Sequence, residues 1–101
     1  MSFEYTAIFS EESKLSDIVY QLQLQNPYYT ILDLQINTES LSCKILINEL
    51  DKQRIWGEDA ILIINGSSVY LIIHVGPRQK LLKFVESIFE NEGIIITFKE
   101  E

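Results

Sequence analysis

The chain has 101 residues, 47% of them hydrophobic, and fifteen acidic against eight basic side chains give a formal charge of −7. That is the length of one domain, and no Ser/Gly/Pro-rich linker divides it, so residues 1–101 are expected to fold around a single core. The acidity argues against nucleic acid and anionic lipid as partners, the lone Cys43 rules out an internal disulfide, and the longest apolar runs fall far short of the ~20 residues of a membrane span.

"FEYTAIF" (3–9) alternates Phe3, Tyr5, Ala7 and Phe9 with Glu4, Thr6 and Ile8, the period of a first strand. Ser10 then suits a helix cap, with Glu11 and Glu12 at the positive end of the dipole. Leu15, Ile18, Val19 and Leu22 recur at helical spacing, and Pro27 places the end of this helix near Asn26. "YYTILDLQIN" and "LSCKILI" read as a hairpin joined around residues 38–40. In it Leu32, Leu34 and Ile36 oppose Asp33, Gln35 and Asn37 on one arm, and Cys43, Ile45 and Ile47 oppose Lys44 on the other.

A second hairpin, "AILIING" and "SSVYLIIHV", turns at Asn65-Gly66. Gly76-Pro77 opens a second helix with Leu81, Val85, Ile88 and Phe89 on its apolar stripe, and Gly93 supplies its left-handed cap. "IIITF" lacks alternation and reads as a last strand buried between layers or paired within the sheet. The order β-α-β-β-β-β-α-β defines an α+β fold: one mixed or antiparallel sheet with two helices, a ferredoxin-like sandwich or a variant of it.

The parts of an enzyme are sparse. His74 and Cys43 are the only histidine and cysteine, both within predicted strands: Cys43 shares parity with Ile45 and Ile47 as a core residue, and His74 lies on the side of Tyr70 and Ile72. No zinc-ligand set, EF-hand loop, Walker sequence or dinucleotide-binding turn occurs, so no metal, no cofactor and no catalytic residue is expected. Two constellations remain. "HVGPRQK" places Gly76, Arg78 and Lys80 at a helix start, the geometry of an anion site for a phosphate or carboxylate compound. The plainer reading pairs these cations with acids such as Glu86 or leaves them in solvent.

The other constellation is "NELDKQRIWGEDA" (48–60), a long connection between strands. Glu49, Asp51, Glu58 and Asp59 are expected to face a cationic partner, with Arg54 and Trp56 as anchors, since Trp and Arg dominate interface hot spots. Trp56 as a lid on the core, with the charges solvated, is the other reading and is compatible with the first.

A small acidic α+β chain carrying this stretch resembles the immunity proteins of bacterial toxin systems, in particular those of contact-dependent growth inhibition. The resemblance implies a cytoplasmic, non-enzymatic inhibitor that binds and covers a cognate basic toxin domain, such as a nuclease. It assigns no role to any particular residue, because that class spans many folds. The alternative is a ferredoxin-like ligand-binding or regulatory module using the anion site, and a homodimer through a sheet edge is compatible with either. A cytoplasmic location is also the expectation from the lone cysteine and from an N-terminal stretch that lacks the pattern of a basic, then apolar, leader.

Overall fold

A computed structural model of the chain describes residues 2–9, 15–48, 58–74 and 76–101. The elements are β1 (Phe3–Ile8), α1 (Leu15–Gln23), β2 (Tyr29–Ile36), β3 (Ser40–Ile47), β4 (Ala60–Asn65), β5 (Ser68–Ile73), α2 (Arg78–Glu90) and β6 (Lys99–Glu100). All six strands join one antiparallel sheet in the order β2-β3-β4-β5-β1-β6. The chain is therefore α+β with the expected element order. One edge carries a split unit of ferredoxin-like type, in which β1 lies between β5 and β6 and α2 connects the two. The other half is a four-strand meander, so the fold is a variant in which α1 carries the chain from β1 past three strands to β2.

Alternation fixes which face is covered. Leu41, Cys43, Ile45 and Ile47 of β3, Ala60, Leu62 and Ile64 of β4, and Val69, Leu71 and Ile73 of β5 are buried on one side with Tyr5, Ala7 and Phe9. Ile18 and Leu22 of α1 and the stripe Leu81, Val85, Ile88 and Phe89 of α2 enter the same cluster, so both helices pack on that one face. The Phe9 and Phe89 rings meet at 5.4 Å in a tilted arrangement. Polar bonds tie the helical ends together: Gln21 Nε2 donates to Glu92 Oε2, and Asn91 Nδ2 donates to Gln21 Oε1.

Local chemistry explains the boundaries. Gly66 adopts φ +61° as the first central residue of the β4–β5 turn, and Asn65 ends β4 by pairing with Ser68 instead of entering the turn. Gly93, at φ +77°, closes α2 with bonds from its N–H to the Glu90 carbonyl and from Ile94 N–H to the Phe89 carbonyl, the expected left-handed cap. α1 stops at Gln23, short of Asn26, whose side chain instead accepts the Tyr28 N–H in a turn leading into β2. The expected cap at Ser10, Glu11 and Glu12 lies outside the described residues.

Two strand expectations are corrected. A bulge at Asp33, φ +51°, shifts the register of β2 between Leu32 and Gln35. Tyr29 and Ile31 thus face the helices before it and Leu34 after it, while Leu32 turns outward beside Lys44. The last strand shrinks to Lys99–Glu100, because Ile94 and Ile96 insert into the core while Ile95 points to water, 80% exposed. Alternation is present there but hidden, since the exposed residue is also an isoleucine.

Burial pushes the Cys43 thiol up to about 12. At pH 8 its thiolate fraction should be on the order of 10⁻⁴, against roughly a tenth for a free thiol. Labelling by a thiol reagent should therefore follow unfolding of the domain, and rapid labelling of the native protein would contradict this packing. The folded value lies above the unfolded one of 9.0, so the associated stability is complete below pH 9 and is lost as pH rises towards 12.

Candidate functional site: the open face of the sheet

The face opposite the helices is covered by none of the described residues over its middle, yet its side chains are not those of a solvated surface. Register sets them in cross-strand rows. Leu32, Lys44, Ile61, Ile72 and Glu4 form one row, and Gln35, Ser42, Ile63, Tyr70, Thr6 and Lys99 form the next. Leu32, Ile63 and Tyr70 are each 37% exposed, and Ile61 and Ile72 are half-buried between them. An antiparallel sheet with one wet face normally alternates apolar and polar; β4 and β5 are apolar on both faces.

Carboxylates frame this patch. Glu4 Oε1 accepts from the Tyr70 hydroxyl at 3.3 Å, and Glu101 Oε2 accepts from Thr6 Oγ1 at 2.9 Å. The Glu4 charge pushes the Tyr70 phenol above its ordinary value, which keeps it a neutral donor. Within the patch, Lys44 Nζ lies 3.2 Å from Asp33 and 3.6 Å from Glu58. Its hydrogen bond to Asp33, reinforced by both carboxylate charges, pushes the ammonium up and holds it charged.

A polar row closes one end of the face. Ser2 Oγ and His74 Nδ1 share a 2.7 Å hydrogen bond, and His74 Nε2 lies 3.1 Å from Glu58 Oε2. With Nε2–H donated to Glu58, the ring accepts the serine hydroxyl at Nδ1. This sequence of hydroxyl, imidazole and carboxylate can polarise a serine oxygen, but none of the three lines the groove described below. His74 does lie on the Tyr70 and Ile72 side, as its parity indicates.

The acidic stretch is only partly where the sequence suggested. Glu58 and Asp59 are buried, not displayed to a cationic partner. Asp59 Oδ2 accepts the Ile47 N–H at 2.7 Å, its own N–H bonds the Ile45 carbonyl, and its carbonyl accepts from His74 N–H. The reason is geometric: β3 runs to Ile47 but β4 begins only at Ala60, so a side-chain carboxylate completes the ladder that backbone leaves open. Glu49, Asp51, Arg54 and Trp56 lie outside the described residues.

At the helix start of Gly76, Arg78 and Lys80, the arginine is engaged within the chain. Arg78 NH1 donates to the Tyr5 hydroxyl at 3.1 Å and to Glu100 Oε2 at 3.3 Å, and its guanidinium lies 4.0 Å from the centre of the Phe3 ring. Glu100, rather than Glu86, thus compensates this cation beside the positive end of the dipole. Gly76 adopts φ +107°, a turn conformation that side chains resist, and the Lys80 carbonyl accepts the Tyr29 hydroxyl at 3.3 Å.

A groove of about 830 Å³ opens on the helical side, between the end of α1, β2 and α2. Tyr29 and Phe84 stack at 4.1 Å on its wall. Among the described residues no group of three or more His, Cys, Asp and Glu side chains could hold a metal ion, and no helix is long and apolar enough to cross a membrane. These features define an α+β domain with an open, partly apolar sheet face. Comparison with protein-family models, with curated proteins and with solved structures gave no match.

Proposed function

We propose that the chain is a non-catalytic binding protein that docks a basic protein on the open face of its sheet. The role is the one that the resemblance to immunity proteins implies, with a toxin domain, such as a nuclease, as the partner it neutralises in the cytoplasm. One observation carries the reading: Ile61, Ile63, Tyr70 and Ile72 form a contiguous apolar centre, with Leu32 beyond Lys44, on a face that none of the described residues covers over its middle. An aromatic with a polar tip at the middle and charges at the margin is the anatomy of a protein interface. Glu4, Asp33 and Glu101 at that margin, on a chain of charge −7, select a cationic partner and accelerate its approach.

The test is capture from a lysate of the source cells, with the unaltered chain run beside Ile63→Asp/Tyr70→Asp. Both sites are partly exposed, so the double variant should melt within a few degrees of the parent. One stoichiometric basic protein is expected, its affinity reduced at least about a hundredfold by the double variant and its association slowed by salt and by Glu4→Lys. Coexpression should suppress whatever growth defect that partner causes alone. A partner that binds the double variant equally well would move the interface off this face.

A further inference from the structure

The groove on the helical side is chemically unlike the rest of the molecule. Sixteen of the described residues line it and none of these is charged, although 23% of the chain is. In place of charges it presents side-chain amides: Gln21, Gln23, Gln25, Asn26, Asn48 and Asn91. Its origin is a mismatch of widths. Six strands occupy about 29 Å across the sheet, whereas two helices side by side cover about 20 Å. The uncovered margin falls at β2, where the helix-facing Tyr29, Ile31 and Leu34 are only half-buried while their β3 counterparts are fully buried.

β2 is also a terminal strand of the sheet. The bond from Asn48 N–H to the Tyr28 carbonyl fixes the phase of its ladder with β3, and alternation then directs the N–H and C=O of Ile31 away from β3, along the open edge. We propose that this groove is a second binding site, separate from the open face, which takes an extended, uncharged peptide segment as an added antiparallel strand on β2. The stretch from Tyr29 to Leu34 is about 17 Å long and matches about five extended residues. The groove lies within the range of about 300–1,000 Å³ usual for binding sites.

Each element of the site has a function in this mode. Ile31 offers one donor and one acceptor to the added strand, and Ile31, Leu34, Phe84 and Ile88 take its alternate apolar side chains. Gln21 and Asn48 are engaged internally, with Glu92 and Asn91 and with Thr30 and Pro27, and fix the walls. Gln23, Gln25 and the Asn26 amide nitrogen can meet peptide groups, which need a donor and an acceptor together. A charged side chain in the segment would lose hydration with no counter-charge among the described lining residues. The bulge at Asp33 limits pairing to the first half of β2, which suits a short segment better than the full-length edge of a second copy.

The test uses the whole chain, labelled with ¹⁵N, titrated with a capped heptapeptide alternating valine and threonine. Saturable shifts are expected at the amides of Ile31, Leu34, Phe84 and Ser87. In an antiparallel addition the residue opposite Ile31 shares its face and returns its hydrogen bonds, so the valines direct their N–H groups at β2. N-methylation of the valines should therefore weaken binding at least tenfold, and N-methylation of the threonines should change it little. Replacing the valines by lysine should also weaken it at least tenfold.

The protein is unaltered in every arm, so folding cannot confound the result. No shift along β2 at about 5 mM peptide, an affinity weaker than any useful one, would overturn the proposal. So would equal loss from both methylation patterns, shifts centred on Ile63 and Tyr70, or the same groove amides responding to maltohexaose instead. Because the readout is on β2 and the helices, failure here leaves the open-face reading untouched, and the converse holds.

Discussion

Asp59→Leu should destabilise the domain by about 3 kcal/mol, because it removes from the core the carboxylate that accepts the Ile47 N–H and extends the ladder between β3 and β4. Asp59→Asn keeps an acceptor oxygen in the same position and should lose only about 1 kcal/mol. Denaturant melts of the two variants check this, and a loss below 1 kcal/mol for leucine would mean that the Asp59 contact to β3 is dispensable. The consequence for function is direct. Reversing charge at Glu58 and Asp59, the natural way to probe an acidic interface, would disturb the junction of β3, β4 and β5, and any lost binding would report the fold.

Phe89→Ala should be at least as costly, about 3–5 kcal/mol, since a fully buried ring is removed from between α2 and the sheet. The cavity would adjoin Phe9, which could relax into it only by leaving its own place in the core. Ile95→Ala, six residues further on, is the internal control: its side chain is largely in water and the change should stay within about 0.5 kcal/mol. Thermal or urea unfolding of both separates a packed core from a merely apolar sequence. Similar melts for the two would show that α2 is not seated on the sheet as described.

The elements were legible where one physical signal acted alone. β1 and β3 announce their buried faces by strict alternation, Gly93 its cap and Gly66 its turn, and the order of elements gave the α+β class. β2 was misread because Asp33 adopts a left-handed conformation that its sequence permits without demanding, and one extra residue inverts the phase before it. "IIITF" concealed its alternation because both faces carry isoleucine.

At the candidate site, the apolar outer faces of β4 and β5 were visible as "AILII" and "VYLII", but such runs are ordinarily read as strands buried between two layers. Glu58 and Asp59 looked solvent-facing, as acids generally are, and only the late start of β4 reveals why they turn inward. His74 was assigned the correct face, yet its bond to Ser2 joins residues 72 apart in sequence and no local pattern announces it. The pairing of Arg78 with Glu100 was hidden for the same reason.

The place of β1 has a kinetic consequence. The meander of β2 to β5 joins each strand to the next in sequence, so its hairpins can zip up locally and quickly. β1 pairs with β5 across sixty to seventy residues, and β6 has no partner strand until β1 has docked. The long-range step should therefore govern the folding rate, and the last backbone amides to gain protection from exchange should be those of β1 and β6.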